Sequence, residues 1–141
     1  MVKLIVGEKG SGKTKKLLDM IKAAAEVSKG HVVCIEKGQS LRFDLKYHIR
    51  LIDITEYDVR SSDAYYGFIS GLLAGNYDIT EIFGDSTFKI LFDKSKHDYE
   101  AMADFVLRVQ KLVDKDGPDI IFSISCSTDD IPQKIKGYVV G

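Results

Sequence analysis

The segment from Gly7 to Thr14 constrains the fold of this chain more than any other part of the sequence. It reads GEKGSGKT and matches the pattern GxxxxGK[ST] at every fixed position. The apolar run Val2 to Val6 precedes it, and apolar residues at helical spacing follow it: Leu17, Leu18, Ile21, Ala24 and Ala25. This order predicts a strand, a tight loop and a helix that ends near Lys29, with Gly30 as its stop.

The composition of this loop suits it to hold a triphosphate. Its glycines allow the backbone to bend so that successive N–H groups point at phosphate oxygens, and the start of the helix adds positive potential. Lys13 would reach the β- and γ-phosphates, and the Thr14 hydroxyl would contact Mg²⁺. We therefore predict a binding site for a nucleoside triphosphate and Mg²⁺, formed by Gly7, Glu8, Lys9, Gly10, Ser11, Gly12, Lys13 and Thr14.

Length and composition indicate an ordinary globular chain. With 141 residues and 45% hydrophobic content, we expect a single domain over residues 1–141 that needs no disulfide or metal staple. Cys34 and Cys126 lie in apolar runs, which is typical of buried thiols. Because no signal-type start and no apolar run of membrane-spanning length is found, we expect a soluble, cytoplasmic protein without membrane insertion.

Charge is distributed unevenly along the chain. Residues 1–50 contain 11 basic and 5 acidic residues, whereas residues 51–141 contain 9 basic and 16 acidic residues. This separation suits a positively charged phosphate site near the N-terminus. The acidic second part, with no interleaved aromatic and basic residues, argues against binding of nucleic acid.

Strand-like runs alternate with helical patterns along the rest of the chain. The further predicted strands are His31 to Glu36, Ile49 to Ile54, Asp78 to Asp85, Ile120 to Cys126 and Tyr138 to Val140. The further predicted helices are one that starts at Ser61 or Ser62 and stops at Gly75-Asn76, one from Asp98 to Lys115, and a turn near Pro132; Gly38 to Tyr47 reads as irregular. This alternation predicts an α/β fold of three layers, with a mostly parallel sheet of about five strands and helices on both faces.

Three glycines recur on one face of the second predicted helix. Gly67, Gly71 and Gly75 are spaced by four residues, which places them in one row. The helix is too short to span a membrane, so we expect this row to pack closely against the sheet or another helix.

An acidic residue is expected opposite the phosphate loop, where it would hold the water shell of the metal. Parallel strands place such residues at their carboxyl ends, and three residues qualify by position: Glu36, Asp53 and Asp85. We choose Asp85, because the apolar residues Ile79, Ile82 and Phe83 precede it, and keep Asp53 in reserve. Asp85 is thus predicted as a metal ligand and, together with Lys13, as a catalytic residue.

The chain resembles the P-loop NTPase superfamily through this Walker A motif. Its order of elements looks like the branch of RecA-like, AAA-type and secretion or twitching-motility ATPases, and small bacterial twitching-motility ATPase-like proteins are similar in size. The resemblance in element order covers nearly the whole chain, while the specific sequence match is Gly7 to Thr14.

The same resemblance implies further site residues. In that branch a glutamate follows the metal-associated aspartate and positions the attacking water, but this chain has Ser86 there, so Glu81 or Glu56 would have to substitute. A polar residue is also implied on the strand between the phosphate-loop strand and the metal strand, and Ser125 or Ser127 fits by position. No arginine finger can be assigned, so a partner would have to supply one.

These features predict an Mg²⁺-dependent ATP-binding protein with weak or partner-stimulated ATPase activity. ATP is favoured over GTP, because no NKxD-type sequence is found. Two alternatives stay open: a small-molecule kinase of the nucleoside type, and a nucleotide-dependent regulator that does not hydrolyse its ligand. Compact thymidine kinases are similar in outline but carry DE where this chain has Asp85-Ser86. Association with a protein partner or with further copies of the chain also stays open.

Overall fold

Five parallel strands form one sheet in the computed structural model, which describes residues 1–45, 48–92, 98–114 and 116–141. The strands are β1 (Val2–Gly7), β2 (His31–Glu36), β3 (Arg50–Asp53), β4 (Ile79–Gly84) and β5 (Asp119–Ser125). Their order across the sheet is β1-β5-β4-β2-β3. Neighbouring strands pair in parallel, so the carboxyl ends of all five lie at one edge.

Helices cover both faces of this sheet. They are α1 (Lys13–Val27), α2 (Ser62–Gly75), α3 (Thr87–Leu91) and α4 (Tyr99–Gln110). Leu17 and Ile21 of α1 pack on one face, in a core that also contains Ile5, Phe83 and Ile121. The larger core on the other face contains residues of α2, α3 and α4, among them Tyr65, Ile69, Phe88, Met102 and Phe105. The predicted three-layer α/β fold is therefore confirmed.

Most element boundaries agree with the sequence predictions to within a few residues. Ser61 and Asp98 cap α2 and α4: their side chains accept hydrogen bonds from the N–H groups of Ala64 and Ala101. The short helix α3 and a 3₁₀ helix at Ser40–Phe43 were not predicted from the sequence. The helix predicted to reach Lys115 is shorter, because α4 ends at Gln110. The predicted ends at Tyr47 and Lys115 themselves lie outside the described residues.

The predicted last strand is present only as an extended C-terminal segment. Pro132 begins a 3₁₀ helix at Gln133–Tyr138, which confirms the predicted turn. Beyond it, Val139 forms a single parallel bridge with Leu4, on the free side of β1. The Val140 N–H donates to the Leu4 carbonyl at 2.9 Å, so this segment is held along the outer edge of β1.

The row of glycines on α2 does not pack against another element. Gly67, Gly71 and Gly75 are all exposed, and a Cβ added at any of them would meet no atom within 4 Å. The prediction of close packing was therefore wrong. The helix instead packs through Tyr65 and Ile69, which lie on its opposite side and are fully buried.

Within the described ranges, no helix is both long enough and apolar enough to span a bilayer.

Candidate functional site

The loop between β1 and α1 bends through two residues in the left-handed region. Gly10 has φ 88° and Gly12 has φ 85°, a conformation that side chains with a Cβ rarely adopt. Between them, the Ser11 N–H donates to the Glu8 carbonyl at 3.0 Å and turns the chain back on itself. Gly12 then caps α1 without a side-chain hydrogen bond, and no acidic residue lies in the first turn. The first turn of α1 thus keeps its positive potential at the loop.

A cavity of about 580 Å³ opens beside this loop at the carboxyl edge of the sheet. Its volume is typical of a small-molecule binding site. The cavity brings together most of the residues predicted for the site: Glu8, Lys9, Gly10, Lys13, Thr14 and Asp85. Gly7, Ser11 and Gly12 shape the loop but do not line the cavity. A cation, a hydroxyl and a carboxylate therefore face one space, as Mg²⁺ and a polyphosphate would require.

Asp85 is fixed by a serine that the sequence analysis did not name. The Ser123 hydroxyl donates to Oδ1 of Asp85, and the Ser86 N–H donates to the Ser123 Oγ at 3.1 Å. Ser123 is 1% exposed and lies on β5, between the phosphate-loop strand and β4. The predicted Ser125 and Ser127 line the cavity without contacting Asp85 among the hydrogen bonds of the described residues.

Glu36 and Asp53, the two other acidic candidates, accept hydrogen bonds from the loops that follow β2 and β3. The Glu36 carboxylate is buried and accepts hydrogen bonds from the Ser40 hydroxyl at 2.8 Å and the Leu41 N–H at 2.9 Å. Oδ1 of Asp53 accepts from the N–H groups of Gly38 and Thr55, both at 3.0 Å. Both carboxylates line a separate cavity, away from the phosphate loop.

These hydrogen bonds make the charged form of Asp53 favourable. The Thr55 hydroxyl, followed by the Gly38 N–H, lowers the pKa of Asp53 below its ordinary value. A carboxyl group with a lowered pKa in the folded state stabilises the fold above its unfolded pKa, and this contribution is lost as the pH falls through the folded pKa.

We therefore expect Asp53→Asn to lower the Tm at pH 7, with a difference from the unmodified protein that shrinks as the pH falls below about 4. Thermal unfolding followed by circular dichroism across this pH range would measure it. Asp19→Asn, on the exposed side of α1, is the matched control and should leave the Tm nearly unchanged. A constant difference at every pH would contradict the role of the Asp53 charge.

Neither Glu81 nor Glu56, the two residues predicted to replace the glutamate that is absent after Asp85, lies where it could do so. Ser86 follows Asp85 in a left-handed conformation with φ 55° and points its N–H at Ser123. Glu81 pairs in register with Asp119, at the start of β5 and thus at the opposite edge of the sheet. Glu56 lines the cavity shared with Asp53. Neither glutamate lines the cavity beside the phosphate loop, so the prediction that one of them substitutes is not supported by their position.

No arginine lines the cavity beside the loop in the described part of the chain. Arg60 pairs with Asp58 at 2.7 Å. Arg108 pairs with Asp63 at 2.6 Å and lies 4.0 Å from the centre of the Tyr66 ring. The Arg60 and Arg108 side chains therefore form their contacts on the surface of the fold, away from the loop between β1 and α1.

The pKa of Cys126, which lines the cavity, reflects the charges that lie near it. Burial, together with the carboxylates of Asp130 and Glu8, raises the pKa of its thiol to about 11, and the nearby Lys13 acts in the opposite direction. The thiol is therefore neutral at physiological pH, and both signs of charge lie close to it. Among the described residues, no group of three histidine, cysteine or acidic side chains could hold a metal by itself. A metal here would need ligands from the phosphates, as Mg²⁺ commonly does.

The hydroxyl of Ser123 offers a direct test of the geometry around Asp85. We expect Ser123→Ala to weaken the ATP and Mg²⁺ binding predicted from the sequence about tenfold, because it removes a hydrogen bond to a charged group and leaves the Ser86 N–H without its acceptor. Calorimetric titration with and without Mg²⁺ separates this effect from a general loss of binding. Ser125→Ala is the comparison: a loss with Ser125→Ala and none with Ser123→Ala would favour the original prediction for Ser125.

No family model and no curated protein sequence matches the chain. Among solved structures, the chain is similar to the flagellar accessory protein FlaH from Methanocaldococcus jannaschii, with a TM-score of 0.57 and 16% sequence identity. The superposition covers 95% of this chain and 64% of FlaH, so the chain spans less than two thirds of that protein. At this identity the likeness concerns the fold alone, which is a five-stranded parallel sheet with helices on both faces.

Proposed function

We propose that the chain is an Mg²⁺-dependent ATP-binding protein with slow intrinsic hydrolysis. The observation that carries the proposal is the convergence of Lys13, Thr14 and Asp85 on one cavity, beside a loop in which Gly10 and Gly12 have left-handed backbone conformations. Lys13 would contact the β- and γ-phosphates. Thr14 and Asp85 would hold Mg²⁺, Thr14 directly and Asp85 directly or through water.

Each residue of the loop has a distinct part in this proposal. The N–H groups from Lys9 to Thr14 would donate to phosphate oxygens, which the glycines at 10 and 12 permit because no Cβ stands in the way. Glu8 and Ser11 would shape the loop through their hydrogen bond and contact the ligand through the backbone. Mg²⁺ would neutralise phosphate charge and polarise the γ-phosphoryl group.

The chemical step is expected to be slow in the isolated protein. The glutamate that would follow Asp85 is absent, and no arginine lines the cavity among the described residues. In phosphoryl transfer, an arginine added to the active site raises kcat by several orders of magnitude. A partner protein or a second copy of the chain that supplies one could therefore accelerate turnover.

Calorimetry with ATP at millimolar Mg²⁺ tests the binding, and phosphate release tests the turnover. We expect saturable binding of ATP and of a nonhydrolysable analogue, weaker in the presence of EDTA. Absence of binding to both ATP and GTP would contradict the proposal. Binding without phosphate release at any protein concentration would instead favour the nonhydrolytic regulator.

A further inference from the structure

Three carboxylates line the cavity beside the phosphate loop within the described residues: Glu8, Asp85 and Asp130. Asp85 accepts the Ser123 hydroxyl and lies at the end of β4, which is the place of a metal ligand. Glu8 is part of the phosphate loop, and its backbone carbonyl accepts the Ser11 N–H. Asp130 has no role in the proposed binding of ATP or Mg²⁺, so its presence in the cavity needs another explanation.

Asp130 is held by groups on two separate elements. It ends the 3₁₀ helix Thr128–Asp130, which follows β5 after a connection of Cys126 and Ser127, and its N–H donates to the Ser127 carbonyl at 3.0 Å. The Tyr99 hydroxyl, at the start of α4, hydrogen-bonds to its carboxylate. The Tyr99 ring packs edge-on against Phe88, with ring centres 5.4 Å apart and planes at 90°.

The contact with Tyr99 limits where the Asp130 carboxylate can lie. Phe88 is 6% exposed and belongs to the main core, so the Tyr99 ring rests on a fixed surface. Burial raises the pKa of Tyr99, and the negative charge of Asp130 raises it further, which keeps the phenol protonated as a donor. One oxygen of Asp130 can accept this hydrogen bond while the other stays available to a small molecule in the cavity.

We infer that Asp130 positions and deprotonates the water that attacks the γ-phosphate, in place of the absent glutamate after Asp85. The water oxygen forms a bond to the γ-phosphorus, and the bond from that phosphorus to the β–γ bridging oxygen breaks. The electron pair of the broken bond leaves with the nucleoside diphosphate. One proton of the water moves to the Asp130 carboxylate, and the other stays on the released phosphate.

This inference rests on the proposed function but concerns the chemical step alone. Asp130→Asn keeps the size and the hydrogen-bonding shape of the side chain but lowers its basicity. We expect phosphate release to fall by about 10²–10⁴-fold, the range for a general base, with the affinity for the nonhydrolysable analogue changed by less than about threefold. Tyr99→Phe removes one hydrogen bond to the carboxylate and should lower turnover about tenfold.

Asp129→Asn is the matched control. Asp129 is the adjacent acidic residue on the same 3₁₀ helix and is exposed, as Asp130 is, but it does not line the cavity. It should leave turnover unchanged. The Tm of every variant is measured beside its rate, so that a folding defect is recognised. The phosphate release of Lys13→Met serves as the background rate, so that a contaminating ATPase is recognised.

Two results would overturn the role of Asp130. One is an Asp130→Asn variant that releases phosphate as fast as the unmodified protein, and the other is an unmodified protein that binds Mg²⁺-ATP but shows no turnover above the Lys13→Met background. Both leave the binding of ATP intact. Failure of the proposed function itself would show differently, as absence of ATP binding in the unmodified protein.

Discussion

Lys13→Met is expected to weaken binding of Mg²⁺-ATP at least tenfold. The side chain is half-buried at the first position of α1 and lines the cavity with Thr14 and Asp85. Its ammonium would form charge-assisted hydrogen bonds to phosphate oxygens, each worth about 1.5–3 kcal/mol. Methionine keeps a flexible chain of similar length without the charge, so packing against the loop is preserved while the phosphate contact is lost.

Lys15→Met gives the matched comparison for this variant. Lys15 lies two residues further along the same helix, is exposed, and does not line the cavity. It changes the net charge by the same amount and should leave the affinity within about twofold, because exposed charges are screened by solvent and salt. Equal ATP affinity in Lys13→Met and the unmodified protein, measured by calorimetry, would contradict a phosphate site at this loop.

Much of the fold could be predicted because its signals are local. The GxxxxGK[ST] pattern needs specific residues at specific places, and the left-handed backbone of Gly12 explains one of them. The apolar runs and helical patterns alternate along the chain, so the parallel sheet follows from the need to bury one face of each helix. The helix starts predicted at Ser61 or Ser62 and at Asp98 agree with the structure, where Ser61 and Asp98 cap α2 and α4.

The contacts inside the site depend on distant parts of the chain and were not predictable in the same way. Ser123 meets Asp85 because Gly84 pairs in register with Phe122, which no local pattern specifies. A polar residue within the apolar run of β5 was the available signal, since buried hydroxyls need partners. Asp130 reaches the cavity through a turn after β5 and a contact with Tyr99 from another element.

Spacing alone also explains why one prediction about packing failed. The interval of four residues correctly placed Gly67, Gly71 and Gly75 in one row of α2. It carried no information on what faces that row, because small residues suit both close contacts and open surface. The apolar residues Tyr65 and Ile69 decide the orientation of the helix, since their burial is worth far more than any contact of a glycine.

Phe122→Ala is expected to destabilise the fold by about 3–5 kcal/mol, the range for loss of a buried phenylalanine. The Phe122 side chain is fully buried on β5, with its ring centre 5.4 Å from that of Phe105 and 5.9 Å from that of Tyr65. It also packs against Gly84, where an added Cβ would come within 2.8 Å of its ring. Because domains of this size are stable by about 5–15 kcal/mol, the variant would lose a large part of its stability.

Urea unfolding measures this loss, and Phe43→Ala supplies the control. Phe43 is 81% exposed, so its removal should change the midpoint very little. Phe122 directly precedes Ser123 and packs against Gly84, the last residue of β4 before Asp85. A cavity there should therefore also loosen the hydrogen bond between Ser123 and Asp85. Under conditions where Phe122→Ala is still folded, we therefore expect weaker Mg²⁺-dependent ATP binding. Equal midpoints for the two alanine variants would contradict the position of Phe122 in the core.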